Sequence, residues 1–449
     1  MPLPPGPNTP PLLQFASWLR RPLPFLDGVA AEYGETFTLR LPGGGPMVIV
    51  SNPRDVKTLF TNPAMSAPGD PDLRPLLGDR SVLLLSGNEH RERRRILMPP
   101  FHGARMTDWG VAIDRLTRKL VTRWRQGERV NVRALMQEIA LNVMLEIVFG
   151  AHDVARRQKL RIDIGRRMAQ SATLGGTLPL WLPFLQRDWG MWKKVQNSQR
   201  ACDEVFYAEI AECRRRADAG DLSVLKLLCN TTHEDGSLLD PIEVRDELMT
   251  LVVAGHENTA SSLSWALYWL HRHPNIRARV AAELATLGPS ADPVAVSQLP
   301  YLGAFCNETL RLYPPVMLTM RRQTTAPVEV GGTLLEPGTE VWASIYLAHR
   351  RAATFDDPAE FNPDRFLDRE YSHFEFLPFG GGGRRCIGMA FAMFEMKVVL
   401  ASLLENARFS LTSDEPVKPR RRTGLLAPDP KWEIRVDWTK AAGGRALAA

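Results

Sequence analysis

Apolar and polar residues alternate with a period of two in GETFTLRLPGGGPMVIVSNP, residues 34–53, on either side of a glycine-rich turn. Such alternation sends successive side chains to opposite faces of a strand, so the segment predicts two short strands joined as a hairpin. Residues 54–290 have mostly helical spacing. Period two returns in VEVGGTLLEPGTEVWAS, residues 328–344, which predicts a second hairpin, and in one strand-like run, KWEIRVDW, within the last 45 residues. The chain starts MPLPPGPNTPP, and this proline density predicts that residues 1–22 form an extended arm docked on the rest. No internal repeat and no Ser/Gly-rich linker divides the sequence. The expectation is a mainly α fold, residues 1–449 forming a single large helical domain with a small β region.

One predicted helix stands out, PIEVRDELMTLVVAGHENTASSLSWALYWLHRHP, with proline and acidic residues at its start and a His-Arg-His-Pro stop. About 30 residues at 1.5 Å each span roughly 45 Å, enough to cross the whole domain. From Leu248 to Ala254 it is apolar on nearly all faces, so its middle is buried. Yet that middle carries His256, Glu257, Asn258 and Thr259 together, and buried polar groups cost free energy unless paired. The zinc motif HExxH would need a histidine where the chain has Ala260.

Composition narrows the function classes. With 449 residues, 44% apolar and 24% charged, the chain is an ordinary globular protein, not a disordered, collagenous or coiled-coil one. No run of 18 apolar residues predicts a membrane anchor, and the first residues lack the charged and apolar regions of a secretory leader. The net charge of +6 requires no nucleic acid, but it leaves room for an acidic protein partner. The five cysteines, Cys202, Cys213, Cys229, Cys306 and Cys386, form no CxxC pair, so neither a zinc knuckle nor a disulfide framework fits. That pattern suits a reducing cytoplasmic setting.

The sharpest local feature is FLPFGGGGRRCIGMAFAMFEMKVVLASLLEN, from Phe376 to Asn406. Four glycines, Gly380 to Gly383, let the backbone come close to a flat ligand. Cys386 falls between two arginines and a helix N-terminus, both of which lower a thiol pKa. Gly388 and Ala392 are small enough for a flat macrocycle to lie against them. The Lys-Ser/Thr of a phosphate loop is absent, and no local base marks a nucleophilic cysteine. A plain buried cysteine leaves the glycines, arginines and small-residue helix unexplained.

The pattern Phe379-x-x-Gly382-x-Arg384-x-Cys386-x-Gly388, with Ala392 and Glu395 following, resembles the heme-binding signature of the cytochrome P450 family at every position. Three further motifs follow the family's order and spacing, so the resemblance covers nearly the whole chain. It implies the P450 fold and heme b, with Cys386 as the thiolate ligand that pushes electron density onto iron. Glu308 and Arg311 in CNETLRLYPP, with Arg365 in FNPDRF, resemble the family's ExxR network; an isolated i,i+3 pair would normally be a weak surface contact. In GNEHRERRRILMPPFH, which alone reads as a solvated basic helix, His90 and Arg94 resemble the pair that meets the heme propionates. Arg384 and Arg322 resemble the other propionate partners, with adjacent Arg321 as the alternative to Arg322.

Ala254-Gly255-His256-Glu257-Asn258-Thr259 is similar to the family's oxygen-activation motif, with Gly255 leaving room for dioxygen and Glu257 relaying protons. The position after the acid is usually threonine, and here it is Asn258; Thr259 lies about 100° further round the helix. The resemblance implies a monooxygenase that inserts one atom of O₂ into an apolar organic substrate of fatty-acid, terpenoid or polyketide type. Electrons would come from a separate ferredoxin or flavodoxin with its NAD(P)H reductase, docked near Arg385. Asn258 motivates an alternative, a heme-thiolate peroxygenase or a peroxide isomerase or dehydratase. By the same analogy, substrate contacts fall on Asp72 to Leu84 (Val82 among them), Val316 to Met320 (Val316 and Met317) and residues 173–190.

Overall fold

The structure, a computed structural model, describes residues 2–101, 105–150, 154–171, 179, 186, 190–216, 221–422 and 424–440. Its helices begin with α1 (Pro11–Arg20), α2 (Pro22–Tyr33), α3 (Pro53–Thr61), α4 (Arg74–Leu77), α5 (Gly87–Leu97), α6 (Arg105–Val121), α7 (Val132–Phe149) and α8 (Val154–Ser171). They continue with α9 (Gly190–Arg215), α10 (Val224–Cys229), α11 (Pro241–Arg272), α12 (Pro274–Ala285), α13 (Pro293–Gln298) and α14 (Pro300–Leu312). The last are α15 (Ile345–Ala348), α16 (Arg365–Asp368) and α17 (Met389–Asn406). The strands are β1 (Thr36–Arg40), β2 (Pro46–Val50), β3 (Met65–Ser66), β4 (Arg129–Asn131), β5 (Arg322–Thr324) and β6 (Val328–Val330). They are followed by β7 (Thr333–Leu335), β8 (Glu340–Ala343), β9 (Ala407–Leu411), β10 (Pro419–Arg422), β11 (Leu425–Pro428) and β12 (Glu433–Thr439).

The long helix α11 starts on a capping box. Asp240 Oδ1 accepts from Glu243 N at 2.8 Å, and Glu243 Oε2 accepts from Asp240 N at 2.9 Å, with Pro241 at the first position. It runs through the largest apolar core, where Leu248, Val252 and Leu263 meet Met144 of α7, Phe305 of α14 and Val399 of α17. β1 and β2 form the predicted hairpin, with Phe37 opposite Ile49. A second core, including Val48, Val56, Val341 and Leu377, packs around the sheet of order β1-β2-β8-β5-β3.

Three expectations need correction. The amino-terminal arm is extended only as far as Pro10, docking through Thr38 N to Pro5 O (2.9 Å) and Thr38 Oγ1 to Pro4 O (2.7 Å). Residues 11–20 and 22–33 are helical, because Pro11 and Pro22 occupy first-turn positions where a missing N–H costs nothing. The hairpin expected over 328–344 closes at Leu335; Glu340–Ala343 instead pairs parallel with β2, Val48 beside Val341. The carboxy-terminal region holds four strands rather than one, β9 to β12. Among the described residues no helix is long and apolar enough to cross a membrane.

Candidate active site

The cysteine loop is held by its own backbone. Gly380 (φ +66°) and Gly382 (φ +62°) take left-handed conformations that side chains disfavour. A Cβ on Gly381 would overlap the ring of Phe60 from α3. Cys386 N donates to Phe379 O at 2.9 Å, and α17 begins three residues beyond the cysteine. Cys386 is exposed, whereas the other four cysteines are buried. The expected depression of its thiol pKa does not hold for the protein alone. The surrounding protein desolvates the sulfur and pushes the pKa up, and the Gly388 N–H, Arg94 and Arg385 pull it down without prevailing. Among the described residues no group of three or more His, Cys, Asp or Glu is placed to hold a metal, so a single-sulfur ligand is the option Cys386 offers.

Four cationic or ionisable side chains gather beside this loop. His90 and Arg94 come from one face of α5, Arg322 from β5 and Arg384 from the loop itself. Arg384 donates to Val82 O (2.9 Å), Ala67 O (2.8 Å) and Leu85 O. Arg322 donates to Gly381 O (2.9 Å) and Met320 O (3.0 Å), with its guanidinium 5.4 Å from the Phe60 ring centre. Burial lowers both arginines to about 10, Arg384 adding to the effect on Arg322 and Arg94 to that on Arg384. Burial, then Arg384, Arg94 and Arg322, lowers His90 to about 4. Among the described residues none of the four forms an ion pair with a carboxylate, so the donor set suits an external anion such as a heme propionate. His90, Arg94 and Gly383 also border a cavity of about 460 Å³. Arg321 lies apart from this group, donating to Glu340 Oε1 at 2.8 Å.

On α11 the polar knot is split between faces. Ala254 is exposed, and Asn258, one turn on, donates Nδ2–H to Ala254 O at 2.8 Å while its Oδ1 has no protein partner. Glu257 turns to α7, where Arg133 Nη2 and Gln137 Nε2 each donate to it at 2.7 Å. His256 Nε2 lies 3.2 Å from Gln137 O. Arg133 and Gln137 were not singled out in the sequence; their i,i+4 spacing on α7 was the available signal. Thr259 is buried. Gly255 does not open space for a small ligand, since a Cβ there would sit 2.5 Å from Met144 Sδ. Its missing side chain lets α7 pack against α11.

The cytochrome P450 family model matches residues 3–436. Cytochrome P450 135B1 of Mycobacterium tuberculosis is 38% identical over 448 residues, covering 98% of this chain and 92% of that one. Cytochrome P450 135A1 of the same species is 34% identical over 452 residues, covering 98% and 97%. The chain belongs to the cytochrome P450 family. Two solved structures share its fold at under 25% identity: a retinoic-acid-bound cyanobacterial CYP120A1 (TM-score 0.84, 23% identity, 97% and 99% covered) and a cytochrome P450DA heme domain (0.85, 24%, 98% and 99%). As a P450 it is a heme monooxygenase, an oxidoreductase whose heme b iron is ligated by a cysteine thiolate.

In this P450 the ExxR residues form a buried knot. Arg311 Nε donates to Glu308 Oε2 (2.6 Å) and Arg311 Nη2 to Glu308 Oε1 (2.8 Å). Arg365 Nε (3.1 Å) and Asn362 N (2.8 Å) also donate to Glu308 Oε1. Arg311 further donates to His349 O, Pro358 O and Glu360 O, each at 2.8 Å. The suggested substrate positions divide. Val82 is buried in the main core, its carbonyl held by Arg384. Val316 is half-buried and bridges to Leu425. Met317 is buried in a third core with Trp18, Leu26 and Ile49. Residues 173–190 lie almost entirely outside the described residues.

Proposed function

We propose that residues 1–449 act as one cytoplasmic P450 domain that oxidises an apolar organic substrate of fatty-acid, terpenoid or polyketide type. Cys386 would hold the iron, and His90, Arg94, Arg322 and Arg384 would receive the propionates. The observation that carries this reading is the convergence of those four side chains, none of them ion-paired to a carboxylate among the described residues, beside Cys386. When bound, the heme supplies the oxidising chemistry. Phe379 O fixes the backbone of Cys386, and the Gly388 N–H stabilises its sulfur as an anion.

Glu257 relays protons. Because Arg133 and Gln137 occupy both of its oxygens, it must release one to turn toward the site. Asn258 keeps its amide donor on Ala254 O, and its Oδ1, buried without a protein partner, reaches water or substrate when the side chain turns. Ala254, exposed one turn before Asn258, forms the adjoining surface. A separate ferredoxin or flavodoxin, kept reduced by an NAD(P)H reductase, delivers electrons near Arg385. The site geometry does not favour the peroxide-only alternative over this one.

The test pairs two measurements. Cys386→Ser should abolish the thiolate-type Soret band of the ferrous carbonyl complex; a retained band would remove Cys386 from the iron. A library of fatty acids, terpenoids and macrolides, screened for substrate-induced spectral shifts and followed by product analysis, identifies the substrate class. Reduction by an acidic carrier should slow as salt rises, and a salt-independent rate would remove the electrostatic docking.

A further inference from the structure

His349 follows the short helix α15 and is completely buried, far in sequence from both the ExxR helix and the cysteine loop. Its ring Nδ1 lies 3.3 Å from Arg311 O, and its Nε2 lies 2.9 Å from Leu377 N. A carbonyl can only accept, so Nδ1 carries the proton. A backbone amide can only donate, so Nε2 is bare. The two partners therefore specify one tautomer of a neutral ring. The charged groups around it reinforce this: Arg311 and Arg350 are both cationic, and Glu308 is already engaged by Arg311 and Arg365. Phe376 and Phe355, with ring centres 5.1 Å and 6.4 Å away, supply the rest of the described ring contacts.

The same residue also accepts from Arg311 Nη1 through its main-chain oxygen, at 2.8 Å. On its other side, Leu377 O accepts from Gly380 N at 2.9 Å, and Phe379 O, two residues on, accepts from Cys386 N. Among the described residues no hydrogen bond runs directly from Glu308, Arg311 or Arg365 to residues 376–388. His349 hydrogen-bonds to both, whereas Phe366, next to Arg365, meets the loop through its ring contact with Phe376 at 4.7 Å.

We propose that His349 is a positioning residue: a neutral, Nδ1-protonated imidazole that transmits the geometry of the Glu308–Arg311–Arg365 knot to the backbone of the Cys386 loop. This rests on the reading of Cys386 as the iron ligand. The tautomer is read without reference to that ligand, so the two can fail separately.

Two experiments on the full-length, heme-loaded protein test it. In ¹⁵N-histidine spectra of the diamagnetic ferrous carbonyl form, the resonance lost in His349→Gln should show a ring protonated at Nδ1 alone and unchanged between about pH 6 and 8. An Nε2-protonated or titrating ring overturns the proposal. In mild urea, His349→Leu strands the Leu377 N–H, and the ratio of thiolate-type to thiol-type carbonyl bands should fall about ten-fold or more. His349→Gln can both donate and accept, and it should restore the ratio. If His349→Leu does not accumulate, a normal band ratio in His349→Gln still supports the proposal. Loss of the thiolate band in His349→Gln at equal heme content overturns it. So does a His349→Leu protein that unfolds earlier yet keeps the wild-type band ratio, because that is a purely structural effect.

Discussion

The ExxR knot makes a ranked prediction that its sequence spacing does not. Arg311→Met removes the bidentate partner of Glu308, which is fully buried and is left with Arg365 and the Asn362 N–H, and it strands three carbonyl oxygens, the buried one on His349 and the part-buried ones on Pro358 and Glu360. Breaking a buried ion pair costs about 3–5 kcal/mol, and the stranded buried acceptor on His349 adds about 1–3 kcal/mol before relaxation. The sum is comparable with the whole stability of a typical protein, about 5–15 kcal/mol. Glu308→Gln leaves Arg311 on its three carbonyls, so its cost stays near the ~3–5 kcal/mol of the broken pair. Arg365→Met loses a 3.1 Å bond to an oxygen that keeps Arg311 and Asn362, and removes a donor to Asp356 O, so about 1.5–3 kcal/mol is expected. Urea unfolding followed by far-UV circular dichroism, with heme content measured in parallel, should order the losses Arg311, Glu308, Arg365. An Arg365→Met cost equal to that of Arg311→Met, or a Glu308→Gln cost below about 1 kcal/mol, would refute the reasoning.

Three further outcomes are expected. Gly381→Ala drives a methyl group into the Phe60 ring and should lower the unfolding free energy by about 1–3 kcal/mol, whereas Gly383→Ala, with nothing within 4 Å, should leave it unchanged; equal effects in thermal unfolding would contradict this. Burial raises Glu247 from 4.5 to about 8, Arg93 opposing it, so the folded state keeps a proton that the unfolded chain releases. The associated stability is intact below about pH 4.5 and is lost as pH climbs through about 8, at up to ~1.4 kcal/mol per unit; Glu247→Gln should flatten that slope, and an unchanged slope in urea titrations counts against it. Asn258→Thr should raise product formed per NAD(P)H consumed, and equal coupling in both proteins would remove any special role for Asn258.

The parts of the fold written in local chemistry were legible. Asp240, Pro241 and Glu243 announce the start of α11, and alternation announces β1 and β2. The cysteine loop and the ExxR pair were legible because short spacings carry them. What was lost depended on distant partners. Nothing in residues 336–344 says that Glu340–Ala343 will lie beside β2, since strand alternation does not name a neighbour. Gly255 read as room for a ligand because a sequence does not tell which helix approaches a glycine. Arg321 and Arg322 were separable in principle: in β5, Arg322 and Thr324 are buried and share one face, which sends Arg321 to the other. His349 carries no local signal, because its two partners lie 38 and 28 residues away in opposite directions.

The parallel pairing of β2 with β8 also sets an order of events during synthesis. The first 50 residues contribute Trp18, Leu26, Phe37 and Ile49 to a core completed by Met317, Tyr346 and Leu426. At ribosomal speeds of about 5–20 residues per second, β2 waits roughly 15 to 60 s for its neighbour to be translated. Throughout that interval Trp18, Leu26, Phe37 and Ile49 lack the residues that complete their core, so this stretch exposes apolar surface of the kind that holding chaperones cover.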